Sequence, residues 1–241
     1  TSRRILIWGH SHAGNVLALT TNLLGGDRAA RDDFFRAAAV YFRWPLVRCV
    51  DVPVWRRVEE SLRREGNPLV DRPLDIVTLG APIRYGWETT GYAKLLHFVH
   101  HRPHDGRPSP RAAFPPSADR LLAAAGGDAD GDYVQQFGIA GTNFAPSFFA
   151  LRSWLADRRL NDLLQPGIRR RDLVDRLRAG LRVADEGTTL LVDYGPSEES
   201  AARHIFGHAV YTRESRMLFH AESVARELYG QIGQDAPLPP A

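Results

Sequence analysis

A chain of 241 residues that is 44% hydrophobic and 24% charged has the composition of an ordinary globular protein with one sizeable core. No apolar run approaches the roughly 20 residues that span a bilayer, which excludes an integral helical membrane protein. The net charge of +3 comes from 31 basic residues, all arginine except Lys94, interspersed with 28 acidic ones, so nucleic acid is not an expected partner.

The first elements read as a strand, a sharp turn and a helix. Residues 3–8 form a strand-sized apolar run, and Val16, Leu17, Thr20, Leu23 and Leu24 recur at helical spacing over 12–24 before Gly25 and Gly26 end the pattern. Helical patterns follow at 28–42 and 52–64, the second with Asp51 at its cap and Pro53 in its first turn. "RPLDIVTLGAP" contains a continuous apolar strand at 74–80, stopped by Ala81-Pro82. From 84 to 132 proline, glycine and polar residues dominate, interrupted by "LLHFV" at 95–99, and the stretch reads as a mobile surface insertion or lid. Beyond it, 133–144 reads as a strand, 147–164 and 171–182 as helices, 188–194 as a strand and 214–229 as an amphipathic helix.

Continuous apolar strands alternating with helices imply an α/β fold, with a mainly parallel sheet covered on both faces. The expected organisation is a nucleophile-strand half with inserted helices at 1–83, a lid- or cap-like insertion with helices at 84–186, a C-terminal core at 187–230 and a disordered tail at 231–241. The single cysteine, Cys49, excludes an intramolecular disulfide and a multi-cysteine zinc site. A reduced chain fits the cytoplasm slightly better than export, yet many exported proteins lack disulfides, and localisation stays open.

The chemistry-bearing stretch is "ILIWGHSHAGNVLAL" at 5–19, where Ser11 sits in the turn between the first strand and the first helix. A serine hydroxyl is a poor nucleophile until a base takes its proton and an acid orients that base. A strand-to-helix turn framed by tiny residues, here Gly9 and Ala13, can hold a serine in a strained conformation with its oxygen exposed above the sheet. The same turn leaves the His12 backbone N–H at a helix start, placed to donate to a developing oxyanion.

"GHSHAG" resembles the nucleophile elbow of the α/β-hydrolase superfamily, lipase-like and esterase-like members above all, with Ala13 where the G-x-S-x-G pattern has its last glycine. "DIVTLGAPIRYGW" is similar to the strand and loop that follow the nucleophile helix in these enzymes, and "GHAVYTR" at 207–213 resembles their histidine loop. The resemblance implies the order serine, acid, histidine along the chain, which makes His208 the base. Three carboxylates compete for the acid. Asp193 ends the strand "TTLLVDYG", on the rim where parallel strands present their carboxyl ends. Asp105 falls just beyond "LLHFV", where lipase-like members often carry the acid, and Asp185 lies between a helix and the 188–194 strand.

The resemblance implies hydrolysis of a small-molecule ester or acyl substrate through an acyl-enzyme, without a cofactor. In that superfamily a long stretch of chain precedes the nucleophile strand, so the expectation is a partial fold: a C-terminal fragment of a longer hydrolase, or a sheet completed by homo-oligomerisation. A non-catalytic descendant that binds a ligand or a protein is the alternative. His97, His100, His101 and His104 recur at helical spacing, but Pro103 interrupts that helix and no second ligand cluster accompanies them, so no metal site is expected. "GGDADGDY" resembles a calcium loop in composition alone and lacks the closing glutamate. His10 and His12 read as fillers of the elbow, with His12 able to contact substrate.

Overall fold

The computed structural model describes residues 4–42, 52–64, 67, 70, 72–82, 85–100, 131–135, 151–164, 187–195 and 205–230. Four strands, β1 (Ile5–His10), β2 (Leu74–Leu79), β3 (Lys94–His100) and β4 (Thr188–Val192), form one sheet in the order β1-β2-β3-β4. Every neighbouring pair is parallel, with Gly9 opposite Thr78, Leu79 opposite Phe98 and Val99 opposite Leu191. Parallel neighbours need a crossover, and helices supply it: α1 (Ala13–Gly25), α2 (Arg28–Ala38) and α3 (Val52–Arg63) lie between β1 and β2. α4 (Leu151–Leu164) lies between β3 and β4, and α5 (Glu214–Tyr229) follows β4.

The two faces of the sheet can be read from strand alternation. Ile5, Leu74, Ile76 and Leu95 pack with Leu17, Ala18, Phe34, Phe35, Leu62 and Leu160, so α1 to α4 cover one face. Trp8, Val77, Leu79, Leu96, Phe98 and Val192 pack with Val224 and Leu228, which puts α5 on the other. The two middle strands are therefore buried on both faces: every residue of β2, and every residue of β3 but Lys94, is buried. Each fully buried Ile, Val, Leu or Phe there contributes about 1.5–3 kcal/mol.

The helices fall close to their sequence signals. Asp27 caps α2 by accepting from the Ala30 N–H at 2.8 Å, and Gly230 ends α5 in the left-handed conformation with its N–H on the Ala225 and Arg226 carbonyls. The 28–42 pattern is an α-helix to Ala38 followed by a 3₁₀ turn, Ala39–Phe42. Two expectations need correction. "LLHFV" belongs to β3, a buried interior strand, so the sheet extends into the 84–186 stretch expected to be an insertion. Residues 133–135 form a helical turn rather than the start of a strand, because the Asp132 side chain accepts from the Gln135 N–H at 2.8 Å and caps it. The 171–182 helix and the 231–241 tail lie outside the described residues.

His97 and His100 sit on a strand three residues apart and so point to opposite faces, which undoes the helical stripe of histidines. Among the described residues no cluster of three or more His, Cys, Asp or Glu suits a metal, and no helix is long and apolar enough to cross a membrane. Asp75 on β2, 0% exposed, accepts from Arg4 through Nε and Nη2 at 3.0 and 3.1 Å and from the Tyr229 hydroxyl at 2.7 Å, so the start of β1 and the end of α5 meet on one carboxylate.

His97 is 1% exposed, with its Nδ1 2.6 Å from the Thr78 hydroxyl, and burial pushes its pKa from the usual 6.5 down to about 3. His220, on α5 with its Nε2 2.7 Å from the Tyr194 hydroxyl, is pushed down to about 4 by burial and then by the Arg216 charge. Between these values and 6.5 the unfolded chain binds protons that the folded chain refuses, so stability is full above pH 6.5 and is lost as the pH falls. The expected slope approaches about 1.4 kcal/mol per pH unit for each histidine. Urea denaturation should show a falling midpoint from pH 7 to pH 5, with a shallower fall in His97→Gln; a flat wild-type profile would contradict it.

Candidate active site

Among the described residues, the candidate side chains Ser11, His12, Asp193 and His208 follow strands at the carboxyl edge of the sheet, where parallel strands deliver their loops. β1 ends at His10 and the chain turns sharply at Ser11, whose φ of +55° lies in the left-handed region that a non-glycine residue seldom occupies. The turn is held from both sides: the Ser11 N–H donates to the Leu79 carbonyl of β2 at 3.0 Å, and the Ser11 carbonyl accepts from Gly14 at 3.1 Å. Gly9 has to be small, because a Cβ there would lie 2.7 Å from Leu17 Cδ1 and 3.3 Å from Ala13 Cβ. Close approach of α1 to the end of β1 is therefore built into the motif. His12 is exposed, and its N–H is among the first of α1, which have no carbonyl partner within the helix.

His208 lies 197 residues further along and faces this serine, with Nε2 2.7 Å from Ser11 Oγ. It opens a 3₁₀ turn, His208–Thr212, entered through Ile205, Phe206 and Gly207, whose φ values of +48°, +50° and +83° make three left-handed residues in a row. Such a conformation costs about 1–2 kcal/mol for each non-glycine residue. Local bonds hold it: His208 N–H donates to the Ile205 carbonyl at 3.0 Å and Tyr133 N–H to the Phe206 carbonyl at 3.2 Å.

The second bond ties the histidine loop to the segment carrying the acid. His208 Nδ1 is 2.8 Å from Oδ2 of Asp132, which is completely buried. A carboxylate can only accept, so the proton sits on Nδ1 and the Nε2 lone pair is left facing the serine hydroxyl. The Tyr211 hydroxyl donates to the same Oδ2 at 3.0 Å while accepting from the His100 N–H at 2.7 Å. Burial, and then the Asp132 charge, raise the Tyr211 pKa well above its usual value, so the tyrosine stays a donor. The Asp132 N–H donates to the His100 carbonyl of β3 at 3.2 Å, and the Gln135 N–H takes Oδ1, so among the described residues the donors to the carboxylate come from the 133–135 turn and the histidine loop. Gly80, at the end of β2 with φ +55°, leaves the space: a Cβ there would run into the Tyr211 ring and the Asp132 carboxylate.

Ser11 and His208 are thus brought together as expected, whereas the carboxylate on His208 is Asp132 and not Asp193. Asp193 does stand at the carboxyl end of β4, but side chains alternate there: Val192 and Tyr194 point inward, and Asp193 is exposed and accepts from the Gly195 N–H at 2.8 Å. Asp105 and Asp185 lie outside the described residues. Asp132 follows β3 in the chain after residues 101–131 and stands in "GGDADGDY", the stretch that resembles a calcium loop in composition alone.

Comparison of the chain with family models, with curated proteins and with solved structures finds no match in any of the three. The reading of this rim rests on its geometry and chemistry.

Tyr211 provides a direct check on the buried network. Tyr211→Phe removes one donor from Asp132 and the acceptor of the His100 N–H, and is expected to lower stability by about 1–3 kcal/mol. Urea unfolding measures this, and an unchanged midpoint would show that water or other groups replace the hydroxyl.

Proposed function

We propose that this chain is a serine hydrolase acting on carboxylic esters, with Ser11 as nucleophile, His208 as general base and then acid, and Asp132 orienting the imidazole. The observation that carries the reading is the 2.7 Å approach of His208 Nε2 to Ser11 Oγ in a tautomer set by Asp132, at a serine held with φ +55°. Support also comes from chain order and topology: serine, acid and histidine follow β1, β3 and β4 of one parallel sheet onto one rim, in the chain order of the α/β-hydrolase superfamily that "GHSHAG" resembles.

The mechanism follows from the positions of the protons. His208 Nε2 takes the Oγ proton as Oγ bonds to the ester carbonyl carbon, and the carbonyl electron pair moves onto oxygen. The His12 N–H at the start of α1 is the oxyanion donor supplied by the elbow. Nε2 then gives its proton to the departing alcohol oxygen as the C–O bond breaks, leaving an acyl group on Ser11. Water adds to this acyl carbon with the same base, and collapse returns the proton to Oγ and releases the acid. Asp132 accepts no proton; its charge stabilises the imidazolium at each step.

A fluorophosphonate probe is expected to form an adduct at Ser11, and Ser11→Ala to lose at least about 10³-fold in p-nitrophenyl ester hydrolysis. Asp132→Asn should fall about 10³–10⁴-fold while Asp193→Asn stays within about threefold. Full hydrolysis by Ser11→Ala would overturn the nucleophile, and loss confined to Asp193→Asn would overturn the acid.

A further inference from the structure

His10 is placed by β1 to act on the base. Strand alternation points it to the same face as Trp8, the face covered by α5 and the histidine loop. Its ring lies over that of His208, centroids 4.9 Å apart and planes 29° from parallel, and its Nε2 is 3.4 Å from the His208 carbonyl oxygen. A carbonyl oxygen only accepts, so Nε2 carries the proton. The Tyr211 ring adjoins both rings, its centroid 5.9 Å from that of His10 and 6.2 Å from that of His208. The titratable groups facing His10 are thus His208 and Tyr211 from the 3₁₀ turn, with the Asp132 charge acting from the segment after β3. Burial, and next the charge on His208, lower the pKa of His10 from 6.5, so the ring is neutral above that pH.

We infer that His10 is a positioning residue for the base: its ring, stacked on His208 and bonded to that residue's own carbonyl, fixes the plane in which the imidazole spans Ser11 and Asp132. It also presents a neutral π face to the imidazolium formed when Oγ gives up its proton. The inference rests on the serine hydrolase reading and adds a member to that site. Its chemistry has a direction. A neutral aromatic ring over a cation stabilises it, so the stack favours the imidazolium that forms during proton transfer. A second proton on His10 at low pH would place like charges face to face and reverse the effect.

Two substitutions separate the ring from the hydrogen bond. His10→Phe keeps the stacked ring and loses the tie to the carbonyl, and His10→Gln keeps a donor and loses the ring. NMR of the His208 Nδ1 proton, which needs no turnover, is expected to show faster exchange with water in His10→Gln and little change in His10→Phe. The acid limb of kcat/KM should move to lower pH in the glutamine variant and stay in place in the phenylalanine variant, with kcat reduced about tenfold in the former and KM unchanged. A proton signal and acid limb unmoved in both variants, with stability alone altered, would reduce His10 to packing and overturn the inference. Equal changes in both would overturn the π face. Wild-type protein that shows the His208 proton signal and its response to His10→Gln but hydrolyses no ester would count against the esterase reading alone.

Discussion

A buried carboxylate has to find donors, and at Asp132 that requirement organises the whole rim. Oδ2 takes the His208 Nδ1 proton and the Tyr211 hydroxyl, Oδ1 takes the Gln135 N–H, and the Asp132 backbone is tied to His100 on β3. Breaking any one of these leaves a polar group stranded in a low-dielectric interior, so the contacts support one another. The arrangement fixes which histidine nitrogen faces Ser11, and with it the direction in which a proton can move. Strain at Ser11 and at the left-handed turn 205–207 is held against this rigid centre.

The rest of the fold serves to bring three distant segments to one edge. β1 delivers Ser11, β3 anchors the Asp132 segment, and the chain after β4 returns His208 over the sheet, 197 residues from the serine it faces. β2 lies between β1 and β3 and contributes backbone: its Leu79 carbonyl holds the Ser11 N–H, and Gly80 gives up the volume that Tyr211 and Asp132 occupy. At the opposite end of the strands, Asp75 joins Arg4 and Tyr229, so β1 and α5, which bound the site, are fastened together far from the chemistry.

Much of this is legible in the sequence wherever the signal is local. The strand-sized, largely apolar runs of β2 and β4, the periodicity of α1 and α5, and the small residues around Ser11 each encode their own structure, because burial and close approach act on neighbouring residues. His208 is legible through its loop. Asp132 is not, since its partner is set by a pairing across 76 residues and its neighbours are glycine and aspartate, a composition shared with ordinary turns. Asp193 misleads for a related reason: the strand end is correct, but the parity of one residue turns its side chain outward. β3 is short of sequence evidence because two histidines, His97 and His100, interrupt its apolar run, and each is accommodated only by a specific partner, Thr78 or the Val192 carbonyl.

The central claim is that Asp132, among all the carboxylates of the chain, holds the His208 Nδ1 proton. Proton NMR in water observes that proton directly, as a far-downfield imidazole resonance. The resonance should be present in the wild-type protein and in Asp193→Asn and absent from Asp132→Asn. A resonance that survives Asp132→Asn, or vanishes with Asp193→Asn, would contradict the account.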